Sequence, residues 1–168
     1  MWDSRYLCKG TKVRVFRSLV LPVLLYSSET WTLDARLGQR LDAFVTSSLR
    51  RILGYRWVDR VSNKAVLRKA TMRSATCTIR ERQLRYFGHV ARFPGDDPAY
   101  RILSAPGPAD WVRPRGGQHG TWLKQICGFL ERGYGPVTAR EKARRRPREY
   151  SNLVRDAAKC HCGACPPT

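Results

Sequence analysis

The sequence has 168 residues, which is enough for one domain or two small ones and too few for a multidomain enzyme. It contains 32 lysine and arginine residues against 13 aspartate and glutamate residues, a formal net charge of +19, and 42% of its residues are hydrophobic. Its longest apolar run, residues 19–26, is too short to span a bilayer, and its first residues do not resemble a signal peptide. We therefore expect an intracellular protein of the nucleus or cytoplasm with a folded core.

Apolar residues recur at helical spacing, which predicts an all-α bundle of about five to seven short helices. The first helix is expected within residues 12–24, where Pro22 should kink or end it. The second should begin after Asp34, an N-cap residue, and end at Gly54, a C-cap residue. The residues assigned to the core are Trp31, Leu37, Leu41, Phe44, Ile52, Leu53, Leu84 and Trp122.

The middle of the chain has two helix-start patterns followed by a stretch rich in proline and glycine. Ser62 is expected to cap a short helix, and the capping-box pattern at residues 78–81 predicts the start of the next one. Residues 94–120 predict a loop. This loop separates a helical region, residues 1–93, from basic C-terminal helices with a cysteine-rich tail, residues 121–168.

The C-terminal region is also expected to be helical. A compact helix begins near Trp122, and a second capping box at residues 138–141 predicts another helix start. The last helix should break at Pro147 and resume as far as Ala157, since proline cannot continue a helix from its interior.

The charge of +19 indicates a polyanionic partner, because self-repulsion of this size destabilises a compact fold. Nucleic acid is the commonest such partner, and an anionic membrane surface is the alternative. Most of the cationic residues are arginine, which pairs bidentately with phosphate and stacks on bases. The composition therefore favours RNA or DNA over a membrane.

The sequence contains two clusters of arginine. The denser one, residues 140–148, fits phosphate contact or a nuclear-import signal, although such runs are often only a solvated helix face. The other, residues 73–89, interleaves arginine with aromatic residues that could stack bases, while Phe87 fits the core equally. The residues expected to contact the nucleic-acid backbone are Arg40, Arg50, Arg51, Arg80, Arg82, Arg85, Arg144, Arg145, Arg146 and Arg148.

The six cysteines are expected to be free thiols or metal ligands in an intracellular protein. Three of them, Cys160, Cys162 and Cys165, lie beside His161 and offer ligand types suited to zinc. Their spacing is too close for all of them to reach one metal, so we expect no cofactor and keep zinc as the alternative.

The sequence contains no motif for catalysis. Asp96 and Asp97 are adjacent carboxylates that could suggest a two-metal site, but proline and glycine surround them, so we interpret them as turn residues. None of the three histidines has a serine, cysteine or aspartate partner in a motif. The chain is therefore expected not to be an enzyme by itself.

The segments described above resemble, in order, the region downstream of the polymerase palm in non-LTR (LINE-type) retrotransposon reverse transcriptases, especially RTE-like elements. One departure is Ser27, where the family usually has glycine. The segments that carry the resemblance are KVRVFRSLVLPVLLYSSETW at 12–31, RLDAF at 40–44, LRRILG at 49–54, WVDRVSN at 57–63, RQLRYFGHVAR at 82–92, the helix at Trp122, ARRRPREY at 143–150 and the cysteine-rich end.

This resemblance implies a thumb-like fragment that holds a template–primer duplex against a reverse-transcriptase palm. The catalytic aspartates and the endonuclease of the family have no counterpart in these segments, so no catalytic residue is carried over. Two alternatives remain: an interaction module whose tail cysteines bind zinc, and a non-functional pseudogene product.

Overall fold

A computed structural model describes residues 6–105, 121–130 and 136–157 of the chain. Every regular element in these ranges is helical, and they contain no strand, which confirms the all-α prediction. The elements are α1 (Lys9–Val15), a π turn (Phe16–Val20), α2 (Leu21–Leu24), α3 (Ala35–Leu53), α4 (Asn63–Lys69), α5 (Ala75–Val90), α6 (Pro98–Ser104), α7 (Trp122–Leu130), α8 (Pro136–Arg145) and α9 (Pro147–Ala157), with 3-10 turns at Ser28–Thr30 and Trp57–Asp59.

The first helix continues past Pro22 because the helical turn before this proline widens into a π turn. The amide of Leu21 donates to the carbonyl of Phe16, five residues earlier, so that α1, the π turn and α2 form one continuous helix. Proline has no amide hydrogen, and a π turn is a common way to accommodate the missing bond. The expected disruption is therefore this π turn, and the helix ends two residues after Pro22, at Leu24.

A tight turn follows this helix. Ser27 has a φ of 54°, in the left-handed region that favours glycine, and the amide of Ser28 donates to the carbonyl of Leu25 at 3.3 Å. Ser27 is the position at which the resembled family has glycine. The backbone here thus has the conformation that glycine adopts at the lowest cost.

The described residues divide into two compact units. Unit 1 comprises the described residues up to Ser28 and residues Asp34–Arg80; unit 2 comprises Glu29–Leu33 and the described residues from Glu81 to Ala157. In unit 1, α3 packs against α1 and α4. Its buried hydrophobic residues are Phe16, Leu25, Val45, Leu49, Ile52, Leu53, Val66, Leu67, Ala70, Met72, Ala75, Cys77 and Ile79.

The buried face of α3 differs from the predicted one. Asp34 caps the helix through a 2.6 Å bond from the amide of Leu37, and Gly54 ends it with a φ of 73°, both as expected. Ile52 and Leu53 are buried as predicted, together with Val45 and Leu49, whereas Leu37 and Phe44 are 43% and 48% exposed. Adjacent stripes of one helix are both apolar here, and the packing of α1 and α4 decides which is buried.

The start of α5 also differs from the prediction. The helix begins at Ala75, and Ser74 Oγ accepts from the amide of Cys77 at 3.2 Å, so Ser74 performs the capping role expected of Thr78. The carboxylate of Asp42, on α3, accepts from the amide and the hydroxyl of Thr76 at 3.1 and 2.6 Å. This tertiary contact fixes the first turn of α5. By contrast, Ser62 caps α4 as predicted.

Unit 2 has its own apolar core, built from the later part of α5 together with α7, α8 and α9. Tyr150 of α9 is buried, and its hydroxyl donates to the carbonyl of Leu84 at 2.7 Å. Gly88 lies under its ring, where an added Cβ would be 2.2 Å from Tyr150 Cε1. The buried core residues are Leu84, Phe87, Ala91, Ile126, Leu130, Ala143, Tyr150 and Val154.

Three polar side chains of unit 2 hold the segment Glu29–Leu33 by its backbone. Gln83 Nε2 donates to the carbonyl of Trp31 at 2.7 Å, and Trp122 Nε1 donates to the carbonyl of Glu29 at 2.7 Å. Gln125 both accepts from the amide of Leu33, at 3.0 Å, and donates to its carbonyl, at 3.2 Å. These hydrogen bonds give partners to backbone groups of a segment that pairs with no β-strand.

The C-terminal helices follow the prediction in part. α9 begins at Pro147, at the first position where proline fits a helix, and it buries Tyr150 and Val154. α8 begins at Pro136, before the predicted capping box at residues 138–141. In the stretch 94–120 expected to be a loop, α6 forms at Pro98–Ser104, and residues 106–120 lie outside the described ranges. With helix 9–24 counted once, the described ranges contain eight helices, more than predicted.

Candidate nucleic-acid interface

The ten arginines predicted to contact nucleic acid belong to both units. Arg40, Arg50 and Arg51 lie on α3, and Arg80 lies in the part of α5 that belongs to unit 1. The other six belong to unit 2: Arg82, Arg85, Arg144, Arg145, Arg146 and Arg148.

Arg50 has a structural role in unit 1. It is half-buried, and its Nη2 donates to the carbonyl of Val61 and to Asn63 Oδ1, the latter at 2.8 Å. These bonds hold the segment that leads into α4. By contrast, Arg40 is exposed and makes no hydrogen bond or ion pair within the described residues. Arg40 is thus better placed for an external phosphate than Arg50.

The arginines of α5 differ in exposure. The side chain of Arg85 is 72% exposed and pairs with Glu81 at 2.5 Å across one helical turn. Surface pairs one helical turn apart contribute only about 0.3–0.5 kcal/mol, so a phosphate can compete with the half-buried Glu81 carboxylate. Arg80 and Arg82 are half-buried, and Arg80 Nε is shielded from solvent. Of these three, Arg85 is the most accessible.

The arginines at the junction of α8 and α9 project into solvent because the opposite faces of these helices are buried. Ala143 and Tyr150 face the core of unit 2, whereas Arg144, Arg145, Arg146 and Arg148 are exposed. Arg145 pairs with Glu141 at 3.3 Å and Arg146 pairs with Glu149 at 3.0 Å. Arg144 and Arg148 make no such contact within the described residues, so this junction retains uncompensated positive charge.

A cleft opens beside this junction, between α6 and α8. Its volume is about 340 Å³, and it is lined by Tyr100, Arg140, Glu141, Arg144 and Arg145. Arg140 is half-buried, and its Nη2 donates to the carbonyl of Leu103 at 3.2 Å. This bond ties α8 to α6 and places a guanidinium group, a phenol ring and two exposed arginines around one space.

The helix that carries Tyr100 is set by Asp97. Asp97 Oδ1 accepts from the amides of Ala99 and Tyr100 at 2.8 and 3.4 Å, so it caps α6, and Pro98 occupies the first helical turn. The predicted turn is present, since the amide of Asp97 donates to the carbonyl of Pro94 at 3.1 Å, and Asp97 in addition caps α6. The Asp-Pro pair is the sequence signal that could have located α6 and with it Tyr100, which the sequence interpretation missed, whereas Arg140 lay in the predicted cluster at residues 140–148.

The described residues contain no group of three histidine, cysteine or acidic side chains placed to hold a metal ion. Cys77 is 2% exposed and forms a disulfide, which corrects the expectation of free thiols, whereas Cys8 and Cys127 form no disulfide. The cysteines proposed as zinc ligands, Cys160, Cys162 and Cys165, lie outside the described residues.

Two side chains have shifted pKa values. Burial raises the pKa of the Tyr150 phenol above its ordinary value, so this hydroxyl stays protonated while it donates to Leu84. At the N-terminus of α1, hydrogen bonds from the side chain and amide of Thr11 lower the pKa of the exposed Cys8 thiol. Neither group lines the cleft.

No helix in the described part of the chain is both long and apolar enough to cross a membrane.

One comparison with known proteins gives a relative. Over 88 residues the chain is 31% identical to an uncharacterized transposon-derived protein of Caenorhabditis elegans. The alignment spans 50% of this chain and 32% of that protein, so the chain matches about a third of its relative's length. Neither a protein-family model nor a solved structure matches the chain. The similarity supports a transposon origin.

Proposed function

We propose that this chain is a nucleic-acid-binding C-terminal fragment of a retrotransposon reverse transcriptase. It binds the phosphate backbone of a template–primer duplex of RNA, DNA or both. The similarity to a transposon-derived protein supports the origin. The sequence segments that resemble the region after the palm support the more specific assignment.

The observation that carries the binding function is the row of exposed arginines at the junction of α8 and α9. Within the described residues, Arg144 and Arg148 have no hydrogen bond or ion pair, and Arg145 and Arg146 pair with the exposed carboxylates of Glu141 and Glu149. Arginine side chains of this kind exchange a weak surface pair for a bidentate phosphate contact. They require no base contact, so the binding is independent of sequence.

The test is a fluorescence anisotropy titration of the full chain with an RNA–DNA hybrid that has hydroxyl ends. We expect the logarithm of the association constant to fall linearly with the logarithm of salt concentration, with a slope of about −0.9 for each phosphate neutralised. Simultaneous replacement Arg144→Glu, Arg145→Glu and Arg146→Glu should weaken binding to every hybrid sequence and make the slope shallower.

A matched control keeps the same change in net charge. Arg14→Glu, Arg68→Glu and Arg155→Glu alter three exposed arginines that are not among the predicted contacts. This control should retain more affinity than the first variant. Unchanged affinity of the first variant would contradict the proposal, and equal losses in both would mean that net charge alone attracts the hybrid.

A further inference from the structure

The cleft between α6 and α8 has features that backbone binding does not need. Its volume of about 340 Å³ lies in the range of small-molecule sites. One wall is Tyr100, a half-buried aromatic ring on a helix that Asp97 and Pro98 fix at its start. The opposite wall is α8, with three guanidinium groups and one carboxylate.

The three arginines of the cleft differ in the hydrogen bonds and ion pairs that they already make. Arg140 donates to the carbonyl of Leu103, and its Nε is buried without a partner. Arg145 holds Glu141 in an exposed pair at 3.3 Å, and pairs of this kind are weak. Arg144 has no hydrogen bond or ion pair within the described residues. Two guanidinium groups are therefore available to an anion, while Arg140 stays in place.

The aromatic wall adjoins a second open space. Tyr100 also lines a cleft of about 520 Å³ together with Pro98, Ile102 and other residues of α6 and its flanks. Ile102 is 79% exposed. A base stacked on Tyr100 would thus lie near the apolar side chains Pro98 and Ile102 and near the arginines of the first cleft. Stacking on tyrosine is tolerant of base identity, because every base presents a π face.

The charge of the cleft favours a dianion. Three arginines and Glu141 give the cleft two net positive charges. A phosphate monoester carries about −1.5 to −2 at neutral pH, whereas an internal phosphodiester carries a single negative charge. The monoester also offers three oxygens to the forked donors of Arg144 and Arg145.

We propose that this cleft binds a nucleotide with a terminal phosphate monoester, with its base against Tyr100 and its phosphate on Arg144 and Arg145. The inference rests on the proposed nucleic-acid binding and specifies which part of the nucleic acid the cleft recognises. The nucleotide is either the phosphorylated end of a single strand or a free mononucleotide, which share this chemistry.

The test compares short fluorescent single strands that differ only in one end, phosphate or hydroxyl, by anisotropy with the full chain. The phosphorylated strand should bind about tenfold more tightly, as expected for charge-assisted bonds gained by an added dianion. Adenosine monophosphate is the competitor for the free-nucleotide source. Strong competition by it would identify the mononucleotide as a sufficient ligand, and weak competition would identify the strand end; both support the proposal.

Variants on the two walls separate their roles. Tyr100→Leu should weaken binding of both strands about tenfold, because it removes the aromatic face on which the base stacks. Tyr100→Trp keeps an aromatic face and should retain binding. Arg144→Gln should abolish the preference for phosphate. Glu141→Gln should strengthen binding of the phosphorylated strand by roughly threefold, because it removes a competing carboxylate. The control Arg155→Gln, on the exposed face of α9, should leave the preference unchanged.

Each variant is first checked for unchanged helix content and thermal unfolding. If the two single strands bind equally while the hybrid still binds with steep salt dependence, the cleft proposal is overturned and the proposed function stands. If the hybrid binds weakly and without salt dependence but the phosphate preference persists, the proposed function fails and the cleft proposal stands.

Discussion

At the scale of single residues, the described part of the chain has backbone strain at a few positions. Among the described residues, Ser27, Arg60 and Thr71 have φ values of 54°, 46° and 51°, although none is glycine. A side chain in this region crowds its own carbonyl, at a cost of about 1–2 kcal/mol. Gly54, with a φ of 73°, shows the residue that normally occupies such a position.

Ser27→Gly is expected to raise the free energy of unfolding by about 1 kcal/mol, because glycine adopts a positive φ without steric cost. Urea denaturation followed by circular dichroism measures the change. Ser27→Ala is the control, since it removes the hydroxyl but keeps the Cβ, and it should not stabilise the protein. If both variants lose stability, the serine side chain contributes more than the turn costs.

At the scale of secondary-structure elements, unit 2 depends on the close approach of α5 and α9. Tyr150 of α9 packs on Gly88 of α5 and donates to the carbonyl of Leu84, so one side chain both fills the interface and satisfies its own hydroxyl. These two residues lie in separate segments of the resemblance, RQLRYFGHVAR and ARRRPREY. The structure therefore gives a packing reason for both residues.

Gly88→Ala is expected to destabilise the protein by about 1–3 kcal/mol, because the added Cβ would lie 2.2 Å from Tyr150 Cε1. The free energy of unfolding in urea is the measurement. Gly128→Ala, in α7 with nothing within 4 Å of its added Cβ, is the matched control and should stabilise by about 0.5–1 kcal/mol. Similar effects of the two substitutions would show that α5 and α9 are less closely packed.

Tyr150 should also make stability depend on alkaline pH. Burial raises its pKa in the folded state, so the unfolded state releases this proton at lower pH, near the ordinary value of 10.0. The contribution of Tyr150 is therefore complete below pH 10.0 and lost as the pH rises above it. Tyr150→Phe should cost about 1 kcal/mol at neutral pH and show a smaller alkaline loss than the parent. Parallel pH profiles of the two proteins, from urea unfolding, would refute this prediction.

At the scale of the whole molecule, the charge of +19 is the dominant property. The ion pairs Arg145–Glu141 and Arg146–Glu149 are exposed, Arg85–Glu81 is partly exposed, and together they compensate little of it. Several exposed apolar side chains, among them Val23 and Trp57, add surface that the described residues do not cover. A polyanion bound to the folded state would relieve the charge repulsion.

Multivalent anions are expected to raise the thermal midpoint more than sodium chloride at equal ionic strength, because they bind the folded state in addition to screening it. Thermal unfolding in sulfate, in a short single-stranded oligonucleotide and in sodium chloride gives the comparison. Equal midpoints in all three would indicate general screening without bound anions. The outcome does not depend on which arginines make the contacts.

Local signals in the sequence determined the helical class and several helix ends. Asp34, Ser62 and Gly54 act as predicted because a capping side chain, or a glycine free to adopt positive φ, needs only its own neighbours in the chain. Ser27, where the resembled family usually has glycine, has a φ of 54°, which glycine adopts readily. The all-α fold follows from the 3.6-residue periodicity alone.

Only the tertiary structure decided which residues these helices bury and which they leave available. Phe44 is exposed because α1 and α4 pack on the neighbouring stripe of α3. Arg50 donates hydrogen bonds to Val61 and Asn63, which lie later in the chain. Tyr100 and Arg144 line the same cleft because Tyr100 lies on α6, in a stretch whose prolines and glycines had predicted a loop. Contacts between residues far apart in the chain leave no mark in local spacing, so periodicity and capping patterns could not reveal them.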